Sequence, residues 1–180
     1  MKTELYKALN ILKSGGIILY PTDTIWGIGC DATNSKVVEK IYKIKKREES
    51  KALISLVSDA KLLEKYTNFQ IKETNNKQAT TIIYPNTIGL ASNLLGENHS
   101  AAIRIVKDDF CKELIQQFGK AIVSTSANIS GTKFPEKFLE ISDEIKKNVD
   151  YIVNLRQNEI MSKPSALLMI NKNGKIKRIR

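Results

Sequence analysis

The sequence predicts a single-domain α/β fold in which a twisted sheet forms the core and helices flank it. The chain of 180 residues has the length of one ordinary domain. Its hydrophobic share of 42% and charged share of 27% are typical of a globular protein that buries a core. Short apolar runs alternate with segments in which apolar residues recur every three or four positions, as strands and helices do. Since no repeat or linker interrupts this alternation, we expect one domain over residues 1–180.

The first quarter of the chain predicts two helices with one buried strand between them. Apolar residues at helical spacing predict a first helix, which Gly15 and Gly16 end, and they are Leu5, Ala8, Leu9 and Leu12. The wholly apolar run at 17–20 predicts a strand covered on both faces, which ends at Pro21. Asn34 or Ser35 is expected to cap a second helix.

The alternation continues to the end of the chain. Further strands are predicted at 52–57, 80–84, 101–106, 121–124 and 151–154, and further helices at 58–66, 71–77, 108–118 and 134–147. The last two strands, at 165–170 and 175–179, are expected to form a hairpin around Asn173 and Gly174.

Net charge is the most informative feature of the composition. Lys and Arg total 29 against 19 Asp and Glu, which gives a formal charge of +10. Such a surplus favours polyanionic partners, either nucleic acid or phosphorylated ligands, because it raises their local concentration. A lysine-rich composition that only keeps the protein soluble explains the charge equally well.

The sequence predicts a cytoplasmic protein that does not enter a membrane. No apolar run approaches the roughly 18 to 20 residues that a membrane span needs. The first residues lack the apolar stretch and cleavage site of a signal peptide. Cys30 and Cys111 are far apart and have no metal-binding spacing, so we expect reduced cysteines and no protein-bound metal site.

Several nucleotide-binding and catalytic patterns are absent from the sequence. It contains no P-loop, and Gly27-Ile28-Gly29 is too short for a dinucleotide fingerprint. The single histidine, His99, excludes most catalytic triads and metal clusters, and it is more typical of a loop residue than of a base. The chemistry is therefore expected to depend on hydroxyls, amides, lysines and arginines, which bind anions.

Three segments concentrate such groups. Residues 20–31 follow a predicted buried strand and carry Thr22 and Thr24, and ligands bind beyond strand ends in open α/β sheets. A turn with satisfied side-chain caps explains this first segment slightly better. Residues 45–51 bring Lys45, Arg47 and Lys51 ahead of another strand, where they could converge on a phosphate chain, although some of these cations could only offset the helix dipole.

The third segment, residues 123–131, begins within the end of the strand predicted at 121–124 and continues beyond it. It holds four hydroxyls, one amide and a glycine, and it includes Ser124, Ser126 and Asn128. This composition also fits an ordinary turn rich in serine and threonine. The density of hydrogen-bonding groups at a strand end favours a ligand site.

Taken in order, these segments resemble the YrdC-like threonylcarbamoyl-AMP synthase family in its short, single-domain bacterial form. PTDT-x-WG-x-G at 21–29 is similar to one family motif, and Lys45-x-Arg47-x₃-Lys51 is similar to a second. The other matches are AIRI at 102–105, STSAN-x-SG at 124–131, Pro164-Ser165 and the C-terminal Arg178. Glu48 and Glu49 stand where the family usually has proline after the motif arginine, and its PGPxT loop keeps only Thr81.

The resemblance implies an enzyme, an L-threonylcarbamoyladenylate synthase, which is a nucleotidyltransferase. Such an enzyme joins L-threonine, bicarbonate and ATP, with Mg²⁺, into threonylcarbamoyl-AMP and releases pyrophosphate. A separate threonylcarbamoyl-transferase complex then modifies the adenosine beside the anticodon of tRNA. The resemblance also implies a basic concave face on the twisted sheet, which leaves direct contact with tRNA or double-stranded RNA open.

The resemblance also assigns roles to individual residues. The nucleotide contacts it implies are Lys45, Arg47, Lys51, Ser126, Asn128 and Arg178, of which Arg47, Lys51 and Ser126 are the expected catalytic set. The threonine contacts it implies are Thr22 or Thr24, Arg104, Ser124 and Ser165, with Arg104 suited to the carboxylate.

Two alternatives remain at this stage. A paralogue on the same scaffold could bind double-stranded RNA or tRNA without synthase activity, and its affinity would fall steeply with salt. A carbamoyl-phosphate-handling domain of hydrogenase maturation proteins has the same fold, but it usually belongs to a longer chain with zinc-finger-like cysteines.

Overall fold

A computed structural model describes residues 1–48, 53–69, 78–171 and 173–180. The α-helices in these ranges are α1 (Lys2–Lys13), α2 (Ser35–Ile44), α3 (Ala60–Leu63), α4 (Asp109–Phe118) and α5 (Asp143–Lys147). The strands are β1 (Ile18–Tyr20), β2 (Gly27–Gly29), β3 (Ile54–Val57), β4 (Thr80–Tyr84), β5 (Ala101–Ile105), β6 (Ile122–Ser126), β7 (Tyr151–Ile152), β8 (Ala166–Ile170) and β9 (Ile176–Arg178). No helix among the described residues is both long enough and apolar enough to cross a membrane.

The strands of the described ranges form one mixed sheet in the order β7-β1-β2-β6-β3-β5-β4-β8-β9. The pairs β1–β7, β3–β5 and β4–β8 are parallel, and the other neighbours are antiparallel. The centre of the sheet therefore joins β2, β6, β3 and β5, which come from distant parts of the sequence. This arrangement confirms the predicted α/β fold.

The two faces of the sheet differ in burial at the end of the central strands near Ser124. Val123, Ser55 and Ile103 are neighbours across β6, β3 and β5 on one face, and all three are buried. The register places Ile54 and Ala102 on the opposite face, where both are only half-buried. We call this opposite face the open face, and it carries the site described below.

Side-chain caps and a glycine define several helix ends. The Asn34 side chain accepts hydrogen bonds from the backbone N–H groups of Lys36 and Val37 and begins α2, while Asp108 caps α4 in the same way through Cys111. Gly119 ends α4 in the left-handed conformation, with φ of 74°.

The end of α2 has a less usual residue in that conformation. Lys46 has φ of 49°, and its N–H donates to Lys43 O. The N–H of Arg47 donates to Tyr42 O. Together these bonds form a Schellman motif, which turns the chain sharply and fixes where Arg47 lies relative to the helix.

Most predicted elements are confirmed, with shifts of one to three residues at their ends. The helix predicted at 58–66 is shorter, since only Ala60–Leu63 is helical. The helix predicted at 71–77 and the start of the strand predicted at 52 lie outside the described residues.

Two sequence interpretations are wrong. Residues 27–29 were expected to belong to the turn or loop after β1, but they form strand β2. Their glycines permit a close approach to β6, which the pattern of apolar residues does not reveal. Residues 134–147 are not one helix. Ser142 caps the short helix α5, and before it Phe138 packs against Trp26, with ring centroids 5.0 Å apart.

Candidate functional site

Strand register collects several of the predicted site residues on the open face. Ser124 of β6 lies opposite Ile54 of β3, and Arg104 of β5 lies beside Leu56 of the same strand. Because side chains two apart share a face, Ser126 joins Ser124 at the end of β6. Two strands, β6 and β5, thus bring hydroxyl and guanidinium groups to one side of the sheet, with β3 between them.

The threonines of the 21–24 loop form a closed hydrogen-bond network. Thr22 Oγ1 lies 2.8 Å from Ile25 O, to which it donates. It also accepts from the N–H groups of Thr24 and Ile25 and lies 2.9 Å from Thr24 Oγ1. Since a hydroxyl has a single hydrogen, Thr24 must donate to Thr22, which leaves lone pairs of Thr24 available to a ligand.

Gly27 explains how this loop approaches β6. A β-carbon at Gly27 would lie 2.9 Å from Ser124 Oγ and 3.5 Å from Thr22 Cγ2. The two predicted threonine contacts therefore flank the glycine, and a side chain there would separate them.

Arg104 is buried and paired with Asp23 of the same loop. Arg104 Nη2 donates to Asp23 Oδ1 at 3.0 Å, and both side chains are at most 9% exposed. Arg104 Nε is buried and has no hydrogen-bond partner among the described residues. A guanidinium with one carboxylate partner and an unused N–H suits a second carboxylate.

Ser165 lies at the other end of the site, on Thr81. The two hydroxyls are 2.8 Å apart and both residues are buried. Arg180 Nη2 donates to Ser165 O at 3.1 Å. Thr81, the remaining residue of the altered loop, is thus joined to a predicted threonine contact.

The geometry does not support Arg178 as part of this site. Arg178 lies opposite Leu168, which neighbours Ile82 and shares the face of Ile103. That face is opposite the open face, on which Lys177 lies beside Met169. The register of β9 therefore directs Arg178 away from Arg104, whereas Arg180, which lies beyond β9, donates to the backbone carbonyl of Ser165.

Lys45 supports the loop after β6 from beneath. Its side chain is 1% exposed, and Nζ donates to Ser126 O at 2.6 Å and Asn128 O at 2.7 Å. Burial, together with the nearby charge of Arg47, lowers the pKa of Lys45 to about 7. In this structure the ammonium is used by backbone carbonyls, and its predicted contact with phosphate stays a prediction.

The remaining nucleotide candidates lie around the same loop. Asn128 Nδ2 donates to Ile129 O and Thr132 O, which shapes the turn after Asn128. Ser126 Oγ has no side-chain hydrogen bond to any described residue, and the half-buried Arg47 follows the Schellman turn of α2. Lys51 lies outside the described residues.

Sequence reasoning assigned no role in the site to Asp23, Arg156 or Arg180. Arg104 was expected to contact a carboxylate but was given no partner within the protein. Asp23, which lies between Thr22 and Thr24, was the nearest candidate in the motif and could have been chosen on that ground. Arg156 Nη1 donates to Thr22 O at 3.2 Å from a segment with no motif, and no local signal could have found it.

Comparison with known proteins places the chain in a family. A profile of the Sua5/YciO/YrdC family, described as "Telomere recombination", matches residues 10–180. The chain belongs to this family. A relative from Pseudoalteromonas translucida named threonylcarbamoyl-AMP synthase is 34% identical over 162 residues, which cover 85% of this chain and 86% of the relative.

Another relative and one solved structure agree with the membership in the Sua5/YciO/YrdC family. A threonylcarbamoyl-AMP synthase from Psychromonas ingrahamii is 33% identical over 156 residues, covering 82% of this chain and 81% of that protein. The crystal structure of P. abyssi Sua5 complexed with L-threonine matches all of this chain with a TM-score of 0.85 and 19% identity. This chain spans 54% of that longer chain, and the likeness shows the shared fold.

Proposed function

We propose that this protein is an L-threonylcarbamoyladenylate synthase. It converts L-threonine, bicarbonate and ATP into threonylcarbamoyl-AMP and pyrophosphate. Family membership and the names of the relatives support this function. The structural observation that carries it is the buried Arg104–Asp23 pair beside the Thr22–Thr24 network, because these groups suit the charged ends and hydroxyl of a small amino acid.

The amino acid lies on the open face in this proposal. The unused Nε–H of Arg104 and its remaining donors bind the carboxylate of threonine. Thr24 accepts a hydrogen bond from the substrate through its free lone pairs, and Ser124 contributes a hydroxyl across Gly27. Ser165, held by Thr81, closes the pocket at its far end.

ATP lies over the loop after β6. Arg47 and Lys51 neutralise its phosphates, and Ser126 Oγ donates to the nucleotide. Lys45 and Asn128 hold the carbonyls and the turn on which Ser126 depends. Arg178, the sequence-based candidate, is left out of this proposal, because its register places it on the face opposite Arg104.

Mg²⁺ accompanies the nucleotide in this proposal. No group of three or more histidine, cysteine, aspartate or glutamate side chains in the described residues could hold a metal ion. The residues present therefore fit an ion carried by phosphate oxygens, as Mg²⁺ commonly is, and it supplies neutralisation of phosphate charge.

The chemistry requires alignment and charge neutralisation more than a protein base. The neutral amine of threonine attacks bicarbonate to give a carbamate and water. A carbamate oxygen then attacks the α-phosphorus of ATP, and the bond to pyrophosphate breaks. Fixed cations and in-line placement supply most of the rate increase in such transfers.

We expect His99→Ala to leave most activity intact, since His99 is exposed in a turn.

The product would serve tRNA modification in the cytoplasm. A downstream threonylcarbamoyl-transferase complex would transfer the threonylcarbamoyl group to adenosine beside the anticodon. The formal charge of +10 leaves room for direct contact with tRNA or double-stranded RNA on the way.

Pyrophosphate release from ATP tests the proposed function. We expect release only when L-threonine, bicarbonate and ATP are all present, and a product with the mass of threonylcarbamoyl-AMP. Valine should be used far less well than threonine, because buried partners of the hydroxyl would be left unpaired, and serine should fall between them.

The opposite result would favour the paralogue. Equal rates with valine and threonine would contradict a hydroxyl-specific pocket. No release under any condition, together with salt-sensitive binding of double-stranded RNA, would indicate an RNA-binding protein on this scaffold.

A further inference from the structure

The loop that carries Thr22 and Thr24 is held to its surroundings residue by residue. The carbonyl of Pro21 accepts a hydrogen bond from Cys111 Sγ at 3.4 Å, inside α4. Asp23 accepts from Arg104 of β5 and from the backbone N–H of Lys107. Both sets of contacts come from one continuous segment, the end of β5 and the start of α4.

Thr22, which lies between these two residues, is held by a different part of the chain. Arg156 Nη1 donates to Thr22 O at 3.2 Å and pairs with Asp108 Oδ2. Arg156 Nε donates to Glu159 Oε2 at 2.8 Å. One guanidinium therefore joins the loop, the cap of α4 and the 156–159 turn.

The two partners of Arg156 Nη1, Thr22 O and Asp108 Oδ2, belong to segments that form the candidate site. Asp108 Oδ1 accepts from Cys111 N and so begins α4, directly after the strand that carries Arg104. Thr22 Oγ1 organises the network that leaves Thr24 available to a ligand. Arg156 thus fixes the distance between the hydroxyl network and the Arg104 end of the pocket.

The backbone of Arg156 indicates that its position is imposed by these contacts. Its φ is 55°, in the left-handed region that residues with a side chain rarely adopt. Its side chain is 31% exposed, and its guanidinium makes the hydrogen bonds described above. The hydrogen bonds to Thr22, Asp108 and Glu159 compensate for the backbone cost.

We propose that Arg156 is a positioning residue for the threonine-binding loop, which sets threonine affinity without touching threonine or ATP. This inference rests on the proposed function, because it takes Thr24 as part of the threonine pocket. Without Arg156, Thr22 O loses its donor and the hydroxyl network moves relative to Arg104. Threonine binding weakens while the nucleotide groups near Ser126 keep their places.

Arg156→Gly separates this role from a general effect on stability. Glycine adopts φ of 55° readily, so the lost hydrogen bonds are partly offset by relief of the backbone. We expect the Kd and KM for threonine to rise roughly tenfold, as for loss of a charged hydrogen bond, with kcat and the KM for ATP nearly unchanged. Arg156→Lys should pair with Asp108 and recover thermal stability but not threonine affinity, because one ammonium cannot also hold Thr22 O and Glu159.

Asn98→Gly is the matched control, since Asn98 has φ of 54° in an exposed turn that lies outside the site. It should leave all kinetic constants unchanged. Threonine affinity equal to that of the wild type in Arg156→Gly, or equal weakening of threonine and ATP, would overturn the inference.

The readouts distinguish this inference from the proposed function. Wild-type protein that binds threonine in calorimetry but releases no pyrophosphate would contradict the synthase function, and the Kd series would still decide the role of Arg156. Wild-type protein that neither binds threonine nor releases pyrophosphate would contradict both.

Discussion

Arg104 shows how a single buried residue can define a ligand. Its guanidinium is 3% exposed and is balanced by one carboxylate, Asp23, at 3.0 Å. A buried cation with an unused N–H is costly unless a further partner arrives. Threonine supplies that partner through its carboxylate in the proposed complex.

Arg104→Lys tests this role. Lysine keeps the charge but lacks the planar set of donors that serves Asp23 and a second carboxylate together. We expect the KM for threonine to rise by roughly one to two orders of magnitude, as for about 1.5–3 kcal/mol of lost interaction. Steady-state kinetics with ATP saturating measures the change, and an unchanged KM for threonine would refute the assignment.

Lys45 gives a pH-dependent prediction. Its pKa is lowered to about 7 in the folded protein by burial and by Arg47. Between this value and the higher pKa of the unfolded chain, the unfolded state binds more protons, so folding stability from this site rises with pH. Below about pH 7 both states are protonated, and the full cost of burying the ammonium is present.

The comparison is between wild type and Lys45→Met. We expect wild type to gain stability relative to the variant by about 1 kcal/mol per pH unit above pH 7. Urea unfolding at several pH values measures this difference. Lys40→Met, on the exposed side of α2, controls for the loss of a lysine. A difference that does not vary with pH would contradict the prediction.

At the scale of elements, β2 depends on the closeness of its neighbours. A β-carbon at Gly29 would lie 2.5 Å from Val123 O and 2.7 Å from Tyr20 Cε1. Neither neighbour can withdraw easily, because Val123 is part of β6 and the Tyr20 ring is buried. The glycine is therefore required for β1, β2 and β6 to pack side by side.

Gly29→Ala should lower the free energy of unfolding by about 2–3 kcal/mol or more, the cost of overpacking a core. Gly119→Ala is the control, because nothing lies within 4 Å of its added carbon and only its φ of 74° is unfavourable. That control should cost about 1 kcal/mol. Equal losses of stability in urea unfolding would mean that the sheet accommodates the extra atom at Gly29.

At the scale of the whole molecule, one sheet connects all the strands described. It runs without a break from β7 to β9, and a single cluster of buried residues extends from α1 to Ile170 of β8. The sheet order interleaves early and late parts of the chain, so no half of it has a sheet of its own. Residues 1–180 are therefore proposed to fold as one cooperative unit.

Unfolding should then occur in one transition. Trp26 is the single tryptophan and is fully buried next to β2, so its fluorescence reports on the centre of the fold. Far-ultraviolet circular dichroism reports on all helices and strands. We expect the two urea curves to coincide, and separate midpoints would indicate two independent units.

The sequence by itself determined the family, the α/β class and most helices and strands. Apolar spacing, the cap at Asn34, and the motifs at 21–29 and 124–131 are local signals, because each acts within a few residues. These signals can be recognised without knowing which strands are neighbours in the sheet. The three candidate segments could therefore be recognised from the sequence, whereas the contacts among their side chains could not.

The tertiary structure alone decided which side chains meet. Arg104 and Asp23 are 81 positions apart, and Arg156 reaches Thr22 across 134 positions. Strand register also placed Arg178 on the face opposite Arg104, and the fold brought the Arg180 side chain to the carbonyl of Ser165. These outcomes depend on long-range strand pairing, and a one-residue change of register would reverse every face, so local sequence patterns cannot specify them.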